Sequence, residues 1–506
     1  MLASLDVCAA GLWHNSMTAS RAVAHRRGET GHVRALCVGL LVRFETKPMF
    51  DRWFKFARKT PATVQPAAPV RPETGLVAAP APATDDIVGL TPADEEHQPL
   101  PEDIGRFLLR QPVLNVSQQI IGYEFAFRPR HELSSSDAMQ QLSDETLISS
   151  VVQLNIRSLT GDKLFFLPIA ADLLDSGWVS MLPPELAVLS IDASQPGPVA
   201  ELAERCRARI EQGFRIAFDN LAEGEGMREL AGLAAYLRFD LRRYNAIDLN
   251  RQLDELRAHC KAVVVARQVE DEDDHQAARG MGFDAFQGYY FARRNPALPQ
   301  RIDNDRLRIM ELLNMTAQHA ELAELEQAIK HDVLISYKLL AFINSPLNAL
   351  SKKMESIAQA LMFLGYDPLY RWLTLLLFAD GEEEARDMAL LQNALVRARM
   401  AESLGRKYLT PADADALFVI GMFSLLDVLF NLPMEQAIER LNLSENARRA
   451  LVQQHGPYAP FLRLAIGFEN ADQQQVRELA DALAIDAQAL NQIHIDAINW
   501  AMLLKN

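Results

Sequence analysis

The chain has 506 residues, of which 49% are hydrophobic and 23% charged, which excludes a disordered or fibrous protein and predicts two or three globular domains. A formal net charge of -15 and a pI near 5.3 exclude a sequence-independent grip on a nucleic acid polymer, which needs a basic stripe to displace counterions; any nucleotide partner is expected to be small. Four cysteines, Cys8, Cys37, Cys206 and Cys260, show no C-x-x-C spacing and are too few to staple a chain this long, so a reducing cytoplasm is the expected compartment.

Residues 1–59 form an N-terminal extension without sustained periodicity, and "MFDRWFKFARK" at Met49 reads as an alternative translation start. Phe50, Trp53, Phe54 and Phe56 alternate there with Arg52, Lys55, Arg58 and Lys59, a pattern open to a membrane-surface or docking helix, with a basic tail as the favoured reading. "ALCVGLLV" is followed by "RFETKP" without a small-residue cleavage site, so secretion is not expected. Residues 60–104, rich in Pro, Ala, Thr and acids, cannot bury enough apolar area to offset their ordering entropy and are predicted to be an extended, disordered linker.

Between residues 105 and 295 short apolar runs alternate with helical patterns: "FLLRQPVLNV", "IIGYEFAFR", "KLFFLPI", "LAVLSID", "RIAFDN", "YLRFDL", "KAVVVARQV" and "FDAFQGYYFA". Strands alternating with helices of roughly 10 to 15 residues predict mostly parallel pairing, and about eight of them a closed barrel whose polar strand ends share one mouth.

From residue 300 to 506 the strand signals stop and an all-α bundle is predicted. "DVLISYKLLAFINSP" sets Val333, Tyr337 and Leu340 at the spacing of one buried helical face. Ser356 with Gln359 reads as a capping box before a Gly365 stop, and Asp367-Pro368 and Thr410-Pro411 as cap-plus-proline helix starts. "DGEEEARD", Asp380 to Asp387, reads as a solvated acidic loop or helix start. "ALFVIGMFSLLDVLFNL", Ala416 to Leu432, approaches bilayer length but carries Asp427 and lacks basic flanks, so it is predicted to be one buried bundle helix with no transmembrane segment.

"RQPVLNVSQQIIGYEFAFR", "RIAFDNLAEG", "YLRFD", "VVVARQVE" and "FDAFQGYYFARR", in that order, resemble the EAL domain family, phosphodiesterases that linearise cyclic di-GMP in a modified (β/α)8, TIM-like barrel. The resemblance implies two-metal catalysis, with carboxylates holding divalent cations and a glutamate as general base. Glu124 matches the signature glutamate, Arg128 the arginine of that motif, Asp219 the first acid of an Asp-Asp pair, Glu270 a later acid and Gln287 the glutamine of "QGYYF". Against these stand the departures. Pro168 falls at or beside the expected asparagine ligand, Ser190 replaces a glutamate, Asn220 the second aspartate, and Arg238 the lysine ahead of Asp240. Arg267 stands where the general base glutamate belongs.

Hard cations need anionic oxygen ligands. At an effective dielectric near 20, unit charges about 4 Å apart interact by about 4 kcal/mol, so an arginine facing a divalent cation opposes it by several kcal/mol. No catalytic residue, metal or cofactor is therefore expected. For Glu124 and Asp219 the favoured reading is simple pairing with an arginine, and for Gln287 satisfaction of loop backbone. The alternative is a metal-free pocket in which Arg128, Arg238 and Arg267 hold an anionic dinucleotide, with Glu124, Asp219, Asp240, Glu270 and Gln287 beside them.

"LEQAIKHDVLISYKLLAFINSP", "SIAQALMFLGYDPLYRWLTLLLFA" and "VIGMFSLLDVLFNLPMEQAIERLNLSENARRAL" resemble the HDOD domain, an all-α relative of the HD hydrolases. His331-Asp332 reads as a decoy for a metal dyad, since the segment that carries the dyad in metal-binding relatives is here "GMFSLLD", with Ser424 and Leu425 in its place. Asn344, Ser345 and Pro346 are read as ending one helix and turning the chain. The order of the two resemblances is that of the EAL-HDOD signal-transduction family. It implies a non-catalytic cytoplasmic regulator whose barrel is input or scaffold and whose HDOD bundle binds a protein partner, with room for a homo-oligomer. A metal-independent cyclic di-GMP receptor and a residual phosphodiesterase using Glu124, Asp219 and Glu270 are the alternatives.

Overall fold

The computed structural model describes residues 108–126, 156–195, 197–224, 226–345, 353–379, 384–470 and 472–505. The N-terminal extension, the expected linker, Arg128 and Pro346 lie outside the described residues.

Each of the eight apolar runs supplies one strand: β1 (Leu109–Asn115), β2 (Ile120–Ala126), β3 (Leu164–Pro168), β4 (Ala187–Asp192), β5 (Arg215–Asp219), β6 (Tyr236–Asp240), β7 (Val263–Arg267) and β8 (Ala285–Gln287). They close into a barrel in sequence order. β1 and β2 are joined by a tight turn in which Gln118 takes a positive φ of 59°. So short a connection forces antiparallel pairing. β1 is accordingly antiparallel to β2 and to β8, whereas β2 through β8 pair in parallel.

Strand alternation sorts the side chains. Val113, Phe166, Val188, Ala217, Val265 and Ala285 fill the barrel interior as a closed apolar plug. The next inward positions toward the carboxyl ends carry the polar residues of the mouth.

From Asn304 onward the described residues contain helices and no strand. The central helix, Glu384–Tyr408, packs against Pro411–Phe423, Ala459–Glu469 and Ala487–Lys505. Its approach to Pro411–Phe423 is close enough that a Cβ on Gly421 would lie 2.4 Å from Ala398 Cα, so only glycine fits there. Ser356 caps Ile357–Leu364 by accepting from Gln359 N, and Gly365 ends that helix with φ 74°. Thr410 caps with Pro411 next. Asp332 caps Val333–Ile343, its carboxylate accepting from Ile335 N at 2.8 Å. Asn344 ends that helix and grips both Met354 N and Met354 O, at 2.7 and 2.8 Å.

Four local expectations are corrected. Asp367 is not a cap: the helix Tyr366–Ala379 begins directly after Gly365, and Pro368 is accommodated in its first turn, where backbone N–H groups have no helical partner. The run Ala416 to Leu432 is two helices, Pro411–Phe423 and Leu426–Phe430, broken at Ser424 and Leu425. Val333 and Tyr337 do not face the core; they are 83% and 56% exposed, and the buried stripe is Ile335, Leu339, Phe342 and Ile343. Both stripes have helical period, so spacing alone does not choose between them. Finally, Arg386 and Asp387 are buried rather than solvated: Asp387 pairs with Arg306 at 2.5 Å, and Arg386 donates to Phe291 O at 3.3 Å.

The two halves share one continuous buried core. Tyr123 of β2 donates its hydroxyl proton to Gln392 Oε1 of the central helix at 2.7 Å. Leu108 N donates to Asn491 Oδ1 at 3.0 Å, and Asn431 Nδ2 to Leu298 O at 2.8 Å. Among the described residues no helix is long and apolar enough to cross a membrane.

Candidate functional site

Four charged side chains converge inside the mouth: Glu124 from β2, Asp219 from β5, Arg238 from β6 and Arg267 from β7. They form a closed ring of alternating sign. Arg238 Nη2 pairs with Glu124 Oε2, and Arg238 Nε lies 3.0 Å from Asp219 Oδ1. Arg267 Nη1 lies 3.0 Å from Asp219 Oδ2 and Nη2 3.2 Å from Glu124 Oε1. Asp219 and Arg238 are fully buried, while Glu124 and Arg267 each keep 7% exposure toward the mouth. Ser190 donates to Asp219 Oδ1 at 3.1 Å, and the guanidinium of Arg238 lies 5.3 Å from the ring centre of Phe166.

The strands dictate this geometry. Asp219 and Arg238 are register partners on β5 and β6, so their side chains emerge side by side. Two cations and two anions in low dielectric neutralise one another, and each stays buried only because the others do. Burial is the largest influence on both arginines and disfavours their charge. For Arg238 it prevails and lowers the pKa; for Arg267 it is outweighed by Glu124, Asp219, Asp240 and Asp192, which raise it. An arginine remains protonated under either shift.

The other candidates are placed around this ring. Gln287 touches side chains rather than loop backbone through its amide: its Oε1 accepts from Arg267 Nε at 3.3 Å and its Nε2 donates to Gln111 Oε1 at 3.0 Å. Asp240 stands apart, its carboxylate accepting from Arg242 N at 3.1 Å to cap a short turn. Asn220 follows β5 with φ 52°, a left-handed conformation asparagine tolerates, and its Oδ1 accepts from Asp240 N at 2.9 Å. Glu270 lies outside the ring and pairs with Arg293 at 2.9 Å. Gln111 was not singled out by motif; its alternation with Val113 on β1 was the available signal.

These residues do not fit a pair of divalent cations. The two acids at the centre are already bonded to arginines, and Pro168, Ser190 and Asn220 offer no carboxylate. Among the described residues no group of three or more His, Cys, Asp and Glu side chains is placed to hold a metal.

An eight-stranded barrel with its first strand reversed, followed by a helical half, defines the class of the molecule. Residues 299–454 match the HDOD domain family. The chain is 27% identical over 405 residues to the uncharacterized protein YuxH of Bacillus subtilis, covering 78% of this chain and 97% of the relative. It is 26% identical over 403 residues to a Vibrio cholerae protein named cyclic di-GMP phosphodiesterase CdgJ, covering 78% and 92%. A solved EAL domain protein from Listeria monocytogenes aligns at 22% identity with 37% of this chain and 87% of its own, at a TM-score of 0.28, which carries no weight for function. The protein thus combines a closed eight-stranded barrel with a helical half whose residues 299–454 match the HDOD domain family.

Proposed function

We propose that the protein is a non-catalytic signal-transduction regulator, in which a degenerate EAL barrel (residues 105–295) is the input or scaffold and the HDOD bundle (residues 300–506) binds a protein partner. The carrying observation is the closed ring of Glu124, Arg238, Asp219 and Arg267. Arginines occupy the bonds that metals would need, and Arg267, which carries no proton-accepting group at neutral pH, stands where the resemblance sets the general base. The regulator is placed in the cytoplasm on its cysteine usage, and a homo-oligomer is compatible with this role.

The name of the Vibrio cholerae relative favours a second reading, in which Glu124, Asp219 and Glu270 sustain a residual cyclic di-GMP phosphodiesterase. Glu270 speaks against it, being paired with Arg293 outside the ring. A third reading, a receptor that binds cyclic di-GMP without cleaving it, draws on the opening of Arg267 to the mouth.

The test is calorimetric titration of residues 101–506 with cyclic di-GMP in EDTA and in Mg2+, beside a hydrolysis assay with Mn2+. No turnover is expected with any metal. Linearised product in Mn2+ would overturn the non-catalytic reading, and metal-independent micromolar binding would make the barrel a receptor.

A further inference from the structure

We propose that the antiparallel pair β1–β2 is a coupling element that ties the charged ring inside the barrel to the central helix of the HDOD half, so that opening the ring loosens the contact between Tyr123 and Gln392. Successive residues of a strand point to opposite faces. Glu124 therefore enters the ring, while Tyr123, its neighbour, faces outward and donates to Gln392 Oε1 of the central helix at 2.7 Å. Both side chains are held on one peptide unit.

A second limb runs through β1. From Arg267 the contacts pass to Gln287 and on to Gln111, which is the register partner of Glu124. Arg110, next to Gln111, turns outward and lays its guanidinium 4.3 Å from the ring centre of Tyr123, while its carbonyl accepts from the Tyr289 hydroxyl at 2.9 Å. Ring contacts thus reach the outward pair Arg110 and Tyr123 along both strands.

The pair has little slack. A Cβ on Gly122 would lie 2.8 Å from Leu164 O, so β2 already abuts β3, and close-packed elements transmit displacement instead of absorbing it. The register shift between Val113 and Leu114 supplies an irregular point at the far end of β1 about which the pair can pivot. The input is any change that draws Arg267 out of the ring. A phosphate-bearing anion at the mouth has the right chemistry, because guanidinium binds phosphate with two parallel hydrogen bonds.

This inference rests on the barrel acting as an input module, but its test uses no ligand and no turnover, so either reading can fail without the other. Amide hydrogen exchange is measured on the full chain for wild type, the charge-balanced double variant Glu124→Gln/Arg267→Met, Gln392→Leu, and all three substitutions together. The expected result is at least a threefold rise in exchange over residues 388–396 in the double variant. Helix Ile357–Leu364 is expected to stay at the wild-type rate, and the triple variant to show no rise beyond that of Gln392→Leu alone. Unchanged exchange over 388–396 while the barrel strands lose protection overturns the coupling, as does an equal rise in every helix. Should the double variant not fold, Gln287→Met, which cuts one limb without altering charge, is read by the same criteria.

Discussion

At the barrel mouth two acids and two arginines alternate on four strands, whereas in the bundle a single acid, Glu402, is surrounded by Arg371, Arg399 and Arg406. The barrel ring is balanced one to one, with Asp219 and Arg238 fully buried and Glu124 and Arg267 each 7% exposed. In the bundle only the acid is sealed: the Glu402 side chain is 1% exposed, but its arginines retain 15%, 18% and 33%, and Asp415 joins Arg371 and Arg406 from the surface at 2.6 and 3.1 Å. Burial, the largest influence on Glu402, pushes its pKa up, yet the three arginines together hold it below the ordinary value. An excess of cations is tolerable where water screens them, and strict pairing is required where it does not. The bundle cluster fastens three helices; the barrel ring ties together four strands.

The largest effect is expected for Arg238→Met. It leaves two buried carboxylates with one cation and is expected to cost about 3–5 kcal/mol, since removing one partner of a buried ion network strands the others. Urea unfolding measures this, and a loss below about 1 kcal/mol would show that the ring is solvated like the bundle cluster.

A smaller effect is expected at the join between the halves. His494, buried against Phe468, has its pKa pushed down to about 3, chiefly by burial and then by Arg110. The unfolded chain takes up this proton near pH 6.5 and the folded chain does not, so stability is complete above that pH and is lost as pH falls toward 3. Between pH 6.5 and 5 the contribution is about 2 kcal/mol at 1.36 kcal/mol per unit, and His494→Leu is expected to flatten that part of the denaturation profile. The smallest effect is expected for Tyr337→Ser, within about 0.5 kcal/mol, because that side chain is 56% exposed; a larger loss in thermal unfolding would return Tyr337 to the core.

The strand count and the mouth were legible because short apolar runs alternate with helical patterns and end in polar residues, and the charged residues of the mouth because ordered motifs carry the EAL resemblance that marks their positions. Helical faces were less so. The period of Val333, Tyr337 and Leu340 is shared by the stripe that packs, and only the neighbouring helices select between them. Asp367-Pro368 has the pattern of a helix start, but the previous helix stops at Gly365 and the next begins at Tyr366, so Asp367 falls inside the first turn.

Eight apolar runs and the helical periods after them encode a barrel followed by a bundle, and the chain sets Arg238, Arg267, Asn220, Ser190 and Pro168 at the mouth, where the EAL resemblance implies a lysine, a glutamate, an aspartate, a glutamate and an asparagine in turn. What these residues do is set by the closed barrel. Glu124 and Arg267 are separated by 142 intervening residues, and barrel closure is what sets their side chains 3.2 Å apart. Opposite charges at that distance in a dry interior must pair, and no local pattern encodes a distance set by eight strands at once.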